Sequence, residues 1–300
     1  MRAFITGGAG FVGTRILSSL LEKGVEVSAT DLAPSHPVLS HDRLTYIQAD
    51  TTQPGPWQEA AKDADLVINL AGRSIFHYWT KSSMEAMRNS RILTTENLVS
   101  ALSGKKGQTL ISTSAIGYYG SCGDEKLKED HGPGDDFLAK LCVEWESAAL
   151  AAEQKGVRVI CMRFGIVLGD RGGALSKMIP AYRMGLGGPL GSGGQWMPWI
   201  HVEDIVRAVD FFMEKKEARG AYNLVGPESV TNATFSRTLA KLLQRPDFFR
   251  VPAVALRLFL GDFGEVLLAS QRGTPERLLA EGFTFSFSSL ENALKAALKA

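Results

Sequence analysis

The sequence predicts an α/β protein: a doubly wound parallel sheet with a smaller, mainly helical C-terminal region. Three observations carry this. Short apolar runs alternate with longer segments of helical period through the first half of the chain. A glycine turn, Thr6-Gly7-Gly8-Ala9-Gly10-Phe11-Val12-Gly13, follows the first run directly and opens the first helical segment. After Gly169 the composition changes, and from Arg171 to Gly194 glycines crowd in.

The runs Arg2 to Thr6, Glu26 to Thr30, Thr45 to Ala49, Leu66 to Ala71, Thr109 to Thr113 and Val157 to Phe164 read as six parallel strands. They are short and mostly β-branched or aromatic, as strands buried on both faces are. Between them Gly10 to Lys23, Trp57 to Ala61, Ser82 to Ser103 and Phe137 to Lys155 read as helices, the last two long enough for crossovers. Gly185 to Gly194 reads as a mobile loop. Beyond it, helices are expected near Val202 to Lys215, Asn232 to Leu243, Val254 to Gly261 and Leu290 to Lys299. No internal repeat is visible.

Composition narrows the classes. The 300 residues are 45% hydrophobic and 22% charged, which excludes disorder and collagen-like fibres. Lysine plus arginine total 33 against 32 for aspartate plus glutamate, so the +1 charge offers nucleic acid or an anionic membrane no general attraction. An anionic ligand must be caught locally. No apolar stretch approaches the roughly 20 residues of a spanning helix, and the first residues lack the core of a secretory signal. Cys122, Cys142 and Cys161 are odd in number and without CxxC spacing, against a disulfide or zinc framework. A cytoplasmic protein without a metal site is expected.

The glycine turn points to a dinucleotide. A tight turn needs residues without a Cβ, the pyrophosphate approaches the backbone closely, and the helix start offers free N–H groups and a positive dipole end. Gly7, Gly10, Phe11, Val12 and Gly13 are the expected cradle. Asp31 ends the second strand where a carboxylate can accept both ribose hydroxyls of NAD, and Leu32 beside it brings no positive charge. NAD is therefore expected over NADP, although nearby Arg43 leaves a 2′-phosphate conceivable and Asp31 has the alternative role of a turn residue before Pro34. Asp50 and Thr51 end the third strand where a polar pair can flank the adenine. Leu70, Ala71 and Gly72 end the fourth, where small residues let the backbone pass the cofactor. Both segments read equally as ordinary strand-to-loop turns.

Several motifs together resemble the extended short-chain dehydrogenase/reductase superfamily, in particular the "epimerase family" proteins of the epimerase/dehydratase group with a separate C-terminal small domain. These are the TGGAGFVG turn, Asn69 to Gly72, Ser90 to Thr95, Ser114 to Gly120, Arg163 with Gly165 to Gly169, Gly185 to Ser192, Gln195 to His201, and Tyr222-Asn223-Leu224. The resemblance covers essentially the whole chain. It implies a Rossmann-type sheet of about seven strands, a dinucleotide-binding domain over 1–170 to which 195–225 returns, and a substrate or lid region over 171–300. It also brings Gly165 toward the cofactor, and implies a small-molecule substrate and a homodimer through the two long helices.

In that superfamily a serine, a tyrosine and a lysine four residues after the tyrosine do the chemistry. The tyrosine exchanges a proton with the substrate alcohol, the lysine holds the nicotinamide ribose, and the serine bonds the developing oxyanion. Ser114 matches the serine, and Lys140 matches the lysine near the start of its helix. Four residues before Lys140 stands Asp136, not a tyrosine. The proton carrier is thus open between Asp136, whose alternative is a helix N-cap, and Tyr118, whose alternative is packing; Lys140 has the alternative of a solvated helix residue. Arg73 is placed at the nicotinamide end. Arg88 and Arg91, three apart on one helical face, read as structural or interfacial. His201 reads as a satisfied loop histidine, and His36 and His41 as surface residues. The Gly185 to Gly194 loop with Trp196 reads as a substrate contact, and Trp199 as core. Two functions follow: an NAD(P)-dependent epimerase or oxidoreductase on a small polar substrate such as a nucleotide sugar, or a dinucleotide-binding regulator that has lost turnover.

Overall fold

The computed structural model describes residues 1–170 and 172–299; Arg171, the first residue of the expected glycine-crowded segment, and Ala300 lie outside them. In chain order, β1 (Arg2–Thr6), α1 (Phe11–Glu22), β2 (Glu26–Asp31), β3 (Leu44–Gln48), α2 (Trp57–Lys62), β4 (Leu66–Asn69), α3 (Lys81–Ala101) and β5 (Thr109–Ala115) make the first half. A 3₁₀ turn over Ile116–Tyr119 and a short β6 (Lys126–Leu127) lead to α4 (Phe137–Leu150), then β7 (Arg158–Phe164) and β8 (Ile166–Leu168). The rest comprises α5 (Leu175–Arg183), β9 (Trp199–His201), α6 (Val202–Glu214), β10 (Gly220–Leu224), α7 (Asn232–Leu243), α8 (Ala253–Leu260), α9 (Asp262–Leu268), β11 (Arg272–Gly273), α10 (Glu276–Ala280) and α11 (Leu290–Leu298).

Seven strands pair in parallel in the order β10-β7-β5-β4-β1-β2-β3. The seventh, β10, joins the edge beside β7 and brings the chain back from the second region. Helices cover both faces, as an all-parallel sheet requires. On one face, Ile16, Leu17 and Leu20 of α1 and Ile205, Val209 and Phe212 of α6 bury against Ile5, Val27 and Ile68. On the other, Trp57 of α2, Leu98 of α3 and Ala149 of α4 bury against Phe4, Val67 and Leu110. Strand order reverses between β1 and β4, so the crevice beyond their carboxyl ends is where such sheets bind ligands.

The second region has a separate core, in which Leu175 and Tyr182 of α5, Phe235 and Leu239 of α7, and Leu290 and Leu294 of α11 pack around Trp199. Two expectations are corrected here. α5 forms inside the glycine-crowded segment, because Leu175 and Tyr182 supply buried anchors that the glycines around them conceal. The Gly185 to Gly194 loop is pinned: Gly191 N–H donates to Val251 O, Leu190 N–H to the side chain of Asn232, and a Cβ on Gly188 would fall 2.1 Å from the Phe249 carbonyl oxygen.

His201 caps α6 through Nδ1, which accepts from Glu203 N–H, and its ring packs on Phe287. Burial, with Arg15 assisting, brings its pKa down from 6.5 to about 4, against a weaker opposing pull from Asp170. The fold therefore holds the neutral ring, and the unfolded chain takes up the proton first. The stabilisation is complete above pH 6.5 and is lost as pH falls toward 4. Against His201→Asn, which keeps a capping oxygen, the wild type should lose about 2 kcal/mol over that interval after allowing for solvent screening. Urea unfolding of both proteins at several pH values checks this, and a pH-independent difference would refute it.

Candidate functional site

The glycine turn lies at the strand-order reversal. Gly7 has φ +70°, and a Cβ there would meet the Leu70 carbonyl carbon and Ala71 nitrogen at 2.9 Å, so the end of β4 passes directly over the turn. Thr6 Oγ1 ties the two strands, donating to Asn69 Oδ1 at 2.7 Å and accepting from Leu70 and Ala71 N–H. A Cβ on Gly13 would come within 2.2 Å of Gly7 O. Gly10 caps α1 without a side-chain acceptor, leaving the first N–H groups of the helix to a ligand. Phe11 turns its ring away from the turn, filling the space that side chains on Gly169, Gly172 and Gly173 would need. Val12 packs on the α1 core.

Asp31 Oδ2 accepts from Ala9 N–H at 3.1 Å and Oδ1 from Leu32 N–H at 2.8 Å, holding the carboxylate at the mouth of the turn. Leu32 is exposed. Arg43 lies elsewhere: its guanidinium sits beside Gly24, at the opposite end of β2 from Asp31, which removes it as a 2′-phosphate partner. His36 is not a plain surface residue. Its Nδ1 accepts from Val38 and Leu39 N–H, so Nε2 carries the hydrogen and donates to Gly8 O at 3.2 Å. The loop after β2 is thus latched over the glycine turn. Asp50 closes a turn on Thr52 through Oδ1 and is exposed, while the buried Thr51 Oγ1 bonds Thr94 Oγ1 of α3.

The far half of the cleft differs most from the expected relay. Ser114 is buried and its hydroxyl donates to Glu146 Oε1 at 2.6 Å. Glu146 is held in turn by Arg163, with Nε on Oε1 and Nη2 on Oε2, both at 2.8 Å. Arg163 also donates to Tyr119 Oη, and Tyr119 donates to Asn223 Oδ1. Burial pushes the Tyr119 phenol up to about 12, so it stays protonated. The Ser114 hydroxyl hydrogen is therefore committed to a carboxylate, whereas an oxyanion would need it.

The helix register explains the missing tyrosine. One face of α4 carries Leu138 against Gly117, Cys142 beside Ser114 and Ala115, and Glu146 on Ser114, each one turn apart. Burial pushes the Cys142 thiol up to about 12, so it remains a neutral thiol. Asp136 and Lys140 are also one turn apart but lie on the outer side, and both are exposed. Asp136 is the N-cap of α4, accepting from Ala139 N–H at 2.9 Å. The Lys140 side chain makes no ion pair or hydrogen bond with the described residues. The α4 positions that face Ser114 are therefore Cys142 and Glu146 and not Lys140, which the resemblance assigns to the ribose, because spacing fixes a turn and not the side of the helix that meets the sheet. Tyr118 is half-buried under the Arg163 guanidinium, 3.5 Å from its ring centre, and its hydroxyl bonds none of the described residues. Gly165 packs on Pro198 and Val225 at the end of β7, two strands beyond β4 and so away from the glycine turn. Among the described residues no three His, Cys, Asp or Glu side chains are grouped to hold a metal, and no helix is long and apolar enough to cross a membrane.

The model of the NAD dependent epimerase/dehydratase family matches residues 3–225. The chain belongs to that family. Its end, 251–297, matches a domain of unknown function, DUF1731. Epimerase family protein SERP0438 of Staphylococcus epidermidis is 36% identical, over 100% of this chain and 99% of its own length. The crystal structure of human epimerase family protein SDR39U1 (isoform 2) with NADPH superposes with a TM-score of 0.85 at 31% identity, covering 100% of both chains. MoeE5 in complex with UDP-glucuronic acid and NAD gives 0.79 at 23% identity, covering 99% and 97%. At that identity it supports the shared fold alone. Against the family's Ser-Tyr-Lys pattern, Leu138 and Cys142 are the residues that sequence reading overlooked. Their signal was the spacing Leu138, Cys142, Glu146, an apolar stripe ending in a carboxylate.

Proposed function

We propose that this chain binds a nicotinamide dinucleotide at the carboxyl ends of β1 and β4 and serves as an oxidoreductase or epimerase for a small polar substrate of the nucleotide-sugar kind. One observation carries the reading: a turn that only glycines fit, under an uncapped helix start, with Asp31 at its mouth. The residues fit the group. The N–H groups of α1 would receive the pyrophosphate, the Asp31 carboxylate the adenosine ribose, and the Leu70 to Gly72 backbone would flank the path to the nicotinamide. When bound, the dinucleotide supplies hydride exchange. On the chain's side, Tyr118 is the group with a free hydroxyl to hold a proton, and Glu146 fixes Ser114 rather than activating it.

A second reading is favoured by Leu138 and Cys142: a dinucleotide-responsive regulator without turnover, since the stripe facing Ser114 has no group that exchanges a proton near neutrality. The test begins with thermal shifts using NAD⁺, NADH, NADP⁺ and NADPH, where occupancy at a hundred times Kd adds about 2.7 kcal/mol. Stabilisation by NAD(H) above NADP(H) is expected from Asp31, and no response to any of the four would sink both readings. A deuterium-labelled reduced dinucleotide then separates them: label lost to a nucleotide sugar supports the enzyme, label retained with every sugar tested supports the regulator.

A further inference from the structure

Arg91 of α3 is a half-buried guanidinium without a counter-ion among the described residues. One terminal nitrogen donates to Met87 O at 3.1 Å and the other to Arg73 O at 3.0 Å, and its plane lies 5.2 Å over the Trp145 ring. Its central carbon is where a Cβ on Gly72 would come within 3.2 Å, so it rests against the glycine that ends the β4 segment, next to the strand-order reversal. No carboxylate lies within 4.0 Å of it among the described residues, and the Cys142 thiol near it is neutral. The buried arginines Arg158 and Arg163 are accounted for. Arg163 pairs with Glu146, and Arg158 uses all three nitrogens, on Thr109, Lys215, Ala218 and Phe212. Among the described residues, Arg91 leaves its Nε–H and one hydrogen on each terminal nitrogen without an acceptor.

A guanidinium cannot shed its charge near neutrality, and an unpaired charge even partly withdrawn from water is costly, so a half-buried cation kept here suits an anion. The cation is also held in place. Arg73 N–H donates to Ser90 Oγ, which donates to Met87 O, tying the Gly72–Arg73 turn to the α3 turn that carries Arg91. We propose that Arg91 is the anion-binding residue of the cleft, receiving a carboxylate or phosphoryl oxygen of the substrate at the carboxyl end of β4. Its place at the nicotinamide end rests on the dinucleotide reading above; the anion subsite itself does not. It also gives this site a fixed positive charge near Cys142.

Oxalate is the probe, titrated by calorimetry into wild type, Arg91→Lys and Arg91→Met, each with and without NADH. The expected result is oxalate binding that weakens at least about tenfold in Arg91→Met and less in Arg91→Lys, with NADH affinity held within about twofold in both. Equal oxalate affinity in wild type and Arg91→Met would overturn the proposal, as would no oxalate binding by wild type. Competition between oxalate and NADH would also overturn it, because the anion would then be sitting in the pyrophosphate site. If Arg91→Met does not fold, wild-type crystals soaked in oxalate decide. Oxalate bonded to the Arg91 guanidinium supports the subsite, and oxalate elsewhere or absent refutes it. Failure of NADH to bind would sink the dinucleotide reading, while the oxalate titration would still judge Arg91.

Discussion

Gly13→Ala is expected to remove dinucleotide binding, with a loss of at least about 100-fold, or about 2.7 kcal/mol. Gly13 does not have a backbone conformation reserved for glycine, so the effect is purely steric. The added Cβ would lie 2.2 Å from Gly7 O and 3.0 Å from Gly8 Cα and O, all main-chain atoms that cannot rotate aside. The turn would have to open, carrying the α1 N–H groups away from the pyrophosphate. Gly10→Ala meets only Gly7 O, at 3.1 Å, and should cost nearer about tenfold. Fluorescence titration with NADH on variants of wild-type helicity checks both. Near-wild-type affinity in Gly13→Ala would show that the turn does not cradle the ligand.

Glu146→Leu is expected to destabilise the fold by about 3–5 kcal/mol, because it strands the buried Arg163 charge. Arg163 would lose both of its 2.8 Å bonds to the carboxylate, and Ser114 would lose its acceptor. The double variant Glu146→Leu with Arg163→Met removes both charges and should recover a large part of the loss, since the desolvation cost disappears with the pair. Urea unfolding measures the three differences. A single-variant loss below about 1 kcal/mol would mean that water reaches Arg163 and the pair is not a dry one. The consequence reaches the site, because the same guanidinium lies over Tyr118. Glu146→Leu should therefore also weaken any function that depends on Tyr118.

Six strands, the long helices of the first half and the glycine turn were legible because each is local. Apolar runs of five to eight residues, a 3.6-residue period and glycines at the start of a helix report on contacts made within a few residues of chain. The family resemblance implied a seventh strand without placing it; β10 carries Gly220 and Asn223, which weaken its own strand signal. α5 was hidden because its buried anchors meet α7 and α11, which are far along the chain.

The candidate site divides along the same line. The sequence by itself determined the turn at Gly7, Gly10 and Gly13 and the acid at Asp31, since a strand, a tight turn and a helix in series leave their backbone one way to run. It also marked Ser114 at the end of β5 and Asp136 as a possible cap. Only the tertiary structure decided which residues face one another across α3, α4 and the sheet. The rotation of α4 puts Cys142 and Glu146 on Ser114 and turns Lys140 outward, and the approach of α3 sets Arg91 against Gly72. Helical spacing says which residues share a face. Which face the sheet buries is set by packing among elements distant in sequence, and that packing puts beside Ser114 not Lys140 but a carboxylate and a neutral thiol.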